Sequence, residues 1–145
     1  MMLKIFSVST STGRDTLLLL VRVSIAVLML VHGLPKLQLL LSGAAIQFPD
    51  VMGMGPVFSL ALTVFAEVLC SILILLGLGT RVAVIPLIVT MLVAVFYIHS
   101  QDPFVKQEMG LHYLLVYAAL LISGSGRYSA DFLIEKRLIP AEARR

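Results

Sequence analysis

Charge is what this sequence has least of. Only 13% of its 145 residues are Asp, Glu, Lys or Arg, while 59% are hydrophobic. A soluble domain carries about 25% charged and roughly 45–50% apolar residues. Too few polar side chains are therefore present to cover a water-facing surface, and the chain reads as an integral membrane protein of one compact domain. Cysteine is nearly absent too. A single Cys70 excludes an intrachain disulfide and any Cys-x-x-Cys redox pair. Its place inside an apolar run suits a small buried hydrophobe. Nucleic acid is set aside as a partner despite a net charge of +3. The basic residues flank hydrophobic segments and form no groove or aromatic-interleaved patch.

What is present is four apolar segments, at residues 16–34, 57–78, 82–98 and 109–123. At about 1.5 Å per residue the first two cross a hydrocarbon layer of roughly 30 Å. The third and fourth need another turn at their ends. Pro86 is expected to start or kink the third. The N-terminal MMLKIFSVSTSTGRDT puts Lys4 and Arg14 ahead of an apolar run, as a signal peptide does. Arg22 interrupts that run, however, and no small-x-small cleavage site follows, so an uncleaved first span is expected. The fold class expected is all-α: a membrane four-helix bundle with a short amphipathic C-terminal helix.

The connections are uneven. GLGTR, from Gly77 to Arg81, joins the second and third segments as a tight hairpin, and SQDPFVKQ joins the third and fourth. The first connection, residues 35–56, is long and apolar, so it should lie in the interface or fold back over the bundle. Lys and Arg sort to one side. Lys4, Arg14, Arg81, Arg127, Lys136, Arg137, Arg144 and Arg145 fall on the side of the termini, against Lys36 and Lys106 on the other. The positive-inside rule then places both termini in the cytoplasm of a bacterial-type inner membrane, with multiple passes. After the fourth span, Gly124 and Gly126 can stop the helix. Ser129 can cap a short helix over residues 129–139, with Asp131 in its first turn and Lys136 and Arg137 near its last. Such a helix would lie on the cytoplasmic surface of the lipid bilayer.

Two polar groupings interrupt the apolar background. Arg22 lies in the first span and Glu67 in the second, and a count from the span ends puts their heights about one turn apart. An Arg22–Glu67 pair is therefore expected, either as a key that fixes helix register or with Glu67 lining a ligand or proton site and Arg22 as its counter-ion. Unpaired, the two charges would cost roughly 5–7 kcal/mol on insertion scales. Thr63, Glu67 and Ser71 share one face of the second helix, and Arg22, Met29, Gly33 and Lys36 one stripe of the first. At the outer end His32, Lys36, His99, Glu108 and His112 should gather, with Glu108 and His112 at i, i+4. Three imidazoles and a carboxylate can bind a small molecule such as a quinone headgroup, relay protons, or ligate a metal, although no spacing makes the metal specific. Tyr97 and Tyr113, with Phe96 and Phe104, read as an outer aromatic belt.

These residues resemble a known family. An Arg in the first span is followed by HGLPKL (His32 to Leu37), FAE (Phe65 to Glu67) and LLGLGTRVAV (Leu75 to Val84). Then come a Glu opening the fourth span (Glu108) and GSGRYSAD (Gly124 to Asp131). In this order and spacing they are similar to the DoxX family of small four-helix membrane proteins, over about residues 16–135. GSG stands where GPG is the family's pattern, and the first loop is unusually apolar. The resemblance marks Arg22, His32, Lys36, Glu67 and Arg81 as family positions, with Arg81 and Asp131 as anchors of the cytoplasmic end. It implies a membrane subunit of an oxidoreductase system, as in a thiosulfate:quinone oxidoreductase or an assembly with a superoxide dismutase and a sulfurtransferase. A quinone cofactor and a soluble redox partner belong to that expectation. Two other roles stay open: binding or transport of a small hydrophobic or sulfur-containing molecule, and a membrane scaffold. Four short helices enclose little interior, which leaves room for a homo-oligomer.

Overall fold

The computed structural model describes residues 12–138. Lys4, Arg144, Arg145 and the last residue of the expected tail helix lie outside them. Five helices follow in order: α1 (Thr12–Leu41), α2 (Pro56–Leu76), α3 (Thr80–Ile98), α4 (Phe104–Ser123) and α5 (Ala130–Leu138). No strand occurs among the described residues. The first three are long and apolar enough to cross a membrane. The fourth has 20 residues but carries Lys106, Gln107, Glu108 and His112 in its first half, and it packs along α3 as the fourth member of the bundle. The chain is an all-α membrane protein. As the short third and fourth segments require, both helices begin earlier than their apolar runs.

The first helix departs most from expectation. It runs through Pro35 to Leu41, seven residues past the predicted end, so the connecting loop shrinks to residues 42–55. A proline inside a helix costs about 3 kcal/mol. Here Leu37, Leu39 and Leu40 recover a comparable amount by packing against the buried Leu60, Val64 and Val68 of α2. The shortened loop folds back over the same cluster through Ile46 and Phe48. Its Val51 N–H donates to Ser59 Oγ (3.1 Å), and its Gly55 N–H to Asp50 Oδ1 (2.8 Å). Pro86 neither starts nor ends a helix: α3 begins six residues earlier, at Thr80.

The central core joins Ile25, Ala26 and Met29 of α1 to Cys70 and Ile74 of α2, Val84 and Leu87 of α3, and Tyr117 and Leu120 of α4. Two stretches are wound as π-helix, Phe65–Cys70 within α2 and Ala94–Ile98 at the end of α3. A π turn holds an extra residue and widens the helix locally, and such turns recur where helices carry function. The first lies near the middle of α2 and holds Glu67; the second ends α3 just before His99.

Candidate ligand site at the Lys36–Glu67 pair

Glycine sets the level at which α1 and α2 meet. A Cβ on Gly33 would stand 2.9 Å from Val68 Cγ2 and 3.0 Å from Glu67 Cβ, so at this point only a hydrogen fits between the helices. The two run antiparallel. Residue 22, eleven positions before Gly33, therefore comes level with about residue 78, roughly 16 Å from Glu67 along the axis. Helical side chains also lean toward the N-terminus of their own helix. Lys36 leans back onto the Gly33–Glu67 level, whereas Arg22 leans away from it.

The expected Arg22–Glu67 pair is accordingly corrected. The partner of Glu67 is Lys36, whose Nζ lies 2.5 Å from Oε1 and 2.6 Å from Oε2. The Glu67 side chain is 3% exposed and that of Lys36 31%. Arg22 is buried at the opposite end. It donates through Nη1 to the carbonyl oxygen of Ser125 and through Nη2 to that of Tyr128 (2.6 Å). Its guanidinium lies against Gly77, where φ is +68° and a Cβ would come within 2.7 Å of Nη1. The helix stripe of Arg22, Met29, Gly33 and Lys36 holds, since the first three are buried and the fourth reaches Glu67. Height, not face, separates Arg22 from Glu67.

Two cavities flank the ion pair. One, of about 370 Å³, lies between α2 and α3 under the 42–55 loop. Phe48, Val51, Leu62, Val89, Val93 and Ile98 make most of it apolar; Thr63, Thr90 and His99 add polar atoms, and Lys36 and Glu67 close its inner end. The other, of about 200 Å³, lies toward α4 and is lined by His32, Lys106 and Tyr113 as well as by Lys36, Glu67 and His99. Ala94, in the π turn of α3, borders both. A cavity of the first size accommodates a small organic ligand.

Of the outer polar residues, the structure brings His32, Lys36, Glu67 and His99 together on these cavities. Glu108 and His112 are exposed and line neither; the face they share points outward. Among the described residues no three of the His, Cys, Asp and Glu side chains come together as a metal site. Tyr113 is no belt residue. It is buried, edge-on to His32 (ring centroids 6.0 Å apart) and stacked on Tyr117 (6.0 Å), while Phe96, Tyr97 and Phe104 are exposed as expected. Asp102 went unnoticed in the sequence because it falls in a turn. Its Oδ2 lies 2.7 Å from His99 Nδ1, which leaves Nε2 as the ring nitrogen free to serve the cavities.

That hydrogen bond from His99 is the main reason the Asp102 carboxyl is held below the usual carboxylate range; partial burial opposes it and Lys106 adds to it. A lowered carboxylate pKa stabilises the folded form above the unfolded pKa and is lost as pH falls through the folded value. The Asp102 link to His99 should thus survive at pH 4 and break only in stronger acid. Carbon-13 shifts of the Asp102 carboxyl across that range check this, and a midpoint at or above the free-carboxylate value of about 3.9 would contradict it.

At the end of the bundle where Arg22 lies, Arg81 and Asp131 bond to the backbone of neighbouring elements. Arg81 Nη2 donates to the carbonyl of Ile122 (3.1 Å). Asp131 accepts from the Gly79 N–H (2.7 Å) and the Thr80 N–H (3.4 Å), and its own N–H donates to Gly77 O (3.0 Å). Ser129 caps α5 by accepting from Phe132 N–H (3.2 Å).

Comparison with curated proteins and with solved structures finds no match. The family model of DoxX matches residues 17–100, more than half of the chain and the whole stretch that builds the ion pair and its flanking helices. The chain belongs to the DoxX family.

Proposed function

We propose that this DoxX protein binds a quinone in the cavity beside Lys36 and Glu67, as the membrane component of a quinone-linked redox system in a bacterial-type inner membrane. One observation carries the reading: an apolar cavity of about 370 Å³ that ends on a buried ion pair. A quinone has a flat apolar body and carbonyl oxygens that accept hydrogen bonds. The cavity matches it with aliphatic walls and with a donor at its polar end, Lys36 Nζ; the His99 ring, its Nδ1 hydrogen given to Asp102, presents Nε2 as an acceptor for the hydroxyl of the reduced quinol. Bound there, a quinone would supply two-electron, two-proton chemistry, while the chain's own residues fix the headgroup and exclude water. The basic end of the bundle, placed in the cytoplasm by the positive-inside rule, would then face a soluble redox partner.

The test is equilibrium binding of a short-chain benzoquinone or naphthoquinone to the full chain in nanodiscs. Saturable binding is expected, weakened at least tenfold, about 1.4 kcal/mol, by Glu67→Gln or His99→Ala. Glu108→Gln and His112→Ala, outside the cavities, should leave it unchanged. Absence of saturable binding, or equal affinity in all four variants, would remove the reading. A second reading is favoured by the cavity of about 200 Å³ across the ion pair, which gives the same residues two approaches. On that reading the protein passes or holds a small molecule without redox chemistry. A colourless stoichiometric ligand released from protein taken from its own membrane would support it.

A further inference from the structure

Acids and bases face opposite ways at the end of the bundle formed by the start of α1, the 77–79 turn and α5. Asp15 and Asp131 are buried, 1% and 4% exposed. Both are occupied by backbone donors: Asp15 by the Arg127 N–H (3.2 Å), Asp131 by those of Gly79 and Thr80. The bases Arg14, Arg127, Lys136 and Arg137 are exposed. Among the described residues of this end, the only other acid is the half-buried Glu135. The outward face is therefore basic although the segment as a whole is mixed. Apolar residues stand among these charges: Leu133 is 61% exposed and Ile134 40%, with Lys136 and Arg137 three residues further on and on the same arc. The guanidinium of Arg127 sits 5.8 Å from the ring centre of Phe132, a contact that uses none of its five N–H donors.

We infer that this face is a binding site for anionic phospholipid headgroups. Phosphodiesters without a compensating amine, as in phosphatidylglycerol, take hydrogen bonds from Arg127, Arg137 and Lys136, while Leu133 and Ile134 enter the acyl boundary beside them. The occupant follows from charge and place. The spanning helices put a bilayer alongside α5, and a face that sets Leu133 and Ile134 one turn from Lys136 and Arg137 suits the headgroup layer. Arg22 and Asp131 fix the segment to the bundle, so the face is preformed. This site is separate from the quinone cavity, and neither proposal depends on the other.

The test is native mass spectrometry of the full chain in mild detergent with equimolar phosphatidylglycerol and phosphatidylcholine of the same acyl chains. Phosphatidylglycerol adducts are expected to exceed phosphatidylcholine adducts, by about fivefold for each basic contact engaged. The double variant Arg127→Gln/Arg137→Gln should lose most of that preference while keeping the wild-type melting temperature, since both side chains are exposed. Equal retention of the two lipids would overturn the inference. So would an undiminished preference in the double variant, which puts the lipid elsewhere. An acidic soluble protein that binds wild type and not the variant, with no lipid preference, would also overturn it and make the face a protein-docking surface.

Discussion

Lys36→Met should destabilise this protein by about 3 kcal/mol, because it leaves the Glu67 carboxylate buried without its counter-charge. Removing one member of a buried pair typically costs about 3–5 kcal/mol, and the partial exposure of Lys36 places the value at the lower end. The double variant Lys36→Met/Glu67→Gln should recover most of the loss, since a neutral, well-packed pair is often no worse than the ion pair it replaces. Unfolding midpoints in mild detergent measure all three. A single variant as stable as wild type would mean that Glu67 finds its compensation elsewhere.

Arg22→Leu should have an effect of the same size for a different reason. The buried carbonyl of Ser125 and the part-buried one of Tyr128 lose their donors, and a buried polar group left unsatisfied costs about 1–3 kcal/mol, the Tyr128 carbonyl less because water can reach it. The segment from Gly124 to Asp131 also loses both Arg22 bonds to α1 and keeps the one from the Arg127 N–H to Asp15, so proteolysis should enter there first. Arg22→Lys should not rescue it, because a single ammonium lacks the planar fork that reaches two carbonyls at once. Combined with Glu67→Gln, the costs of the two sites should add to within about 0.5 kcal/mol, as independent sites do. A coupling well above that would bring Arg22 and Glu67 back into one network and contradict the level assigned by Gly33.

The number of helices, their polarity and the capping of α5 by Ser129 were legible because apolar run length and cap chemistry are local. So was the stripe of α1, because angular position follows from 100° per residue. Height along the bundle was not legible. It depends on where two helices touch, and that is set by Gly33 against Glu67, a close approach that no spacing announces. Glycine in HGLPKL was the available signal, and a register built on it would have paired Lys36 with Glu67. Glu108 and His112 share a face, as their spacing requires, but which way a helix turns that face is a property of its neighbours. Tyr113 shows the converse: an aromatic near a span end is buried because α4 rolls it toward His32. Pro35 misled for an energetic reason, since leucine burial beyond it offsets the hydrogen bond it removes.

The π turn in α2 has a consequence for how the two ends of that helix relate. One inserted residue advances the phase of everything after it by about 100°. Leu60 and Val64, before the turn, are keyed to the far end of α1 and to the loop, while Cys70, at its last residue, and Ile74, after it, are keyed to the central core. The helix is therefore two rods clocked separately, with the carboxylate of Glu67 mounted on the coupling between them. Shortening that coupling by one residue would not merely trim the helix; it would bring the rods into phase and leave one of them facing the wrong partner.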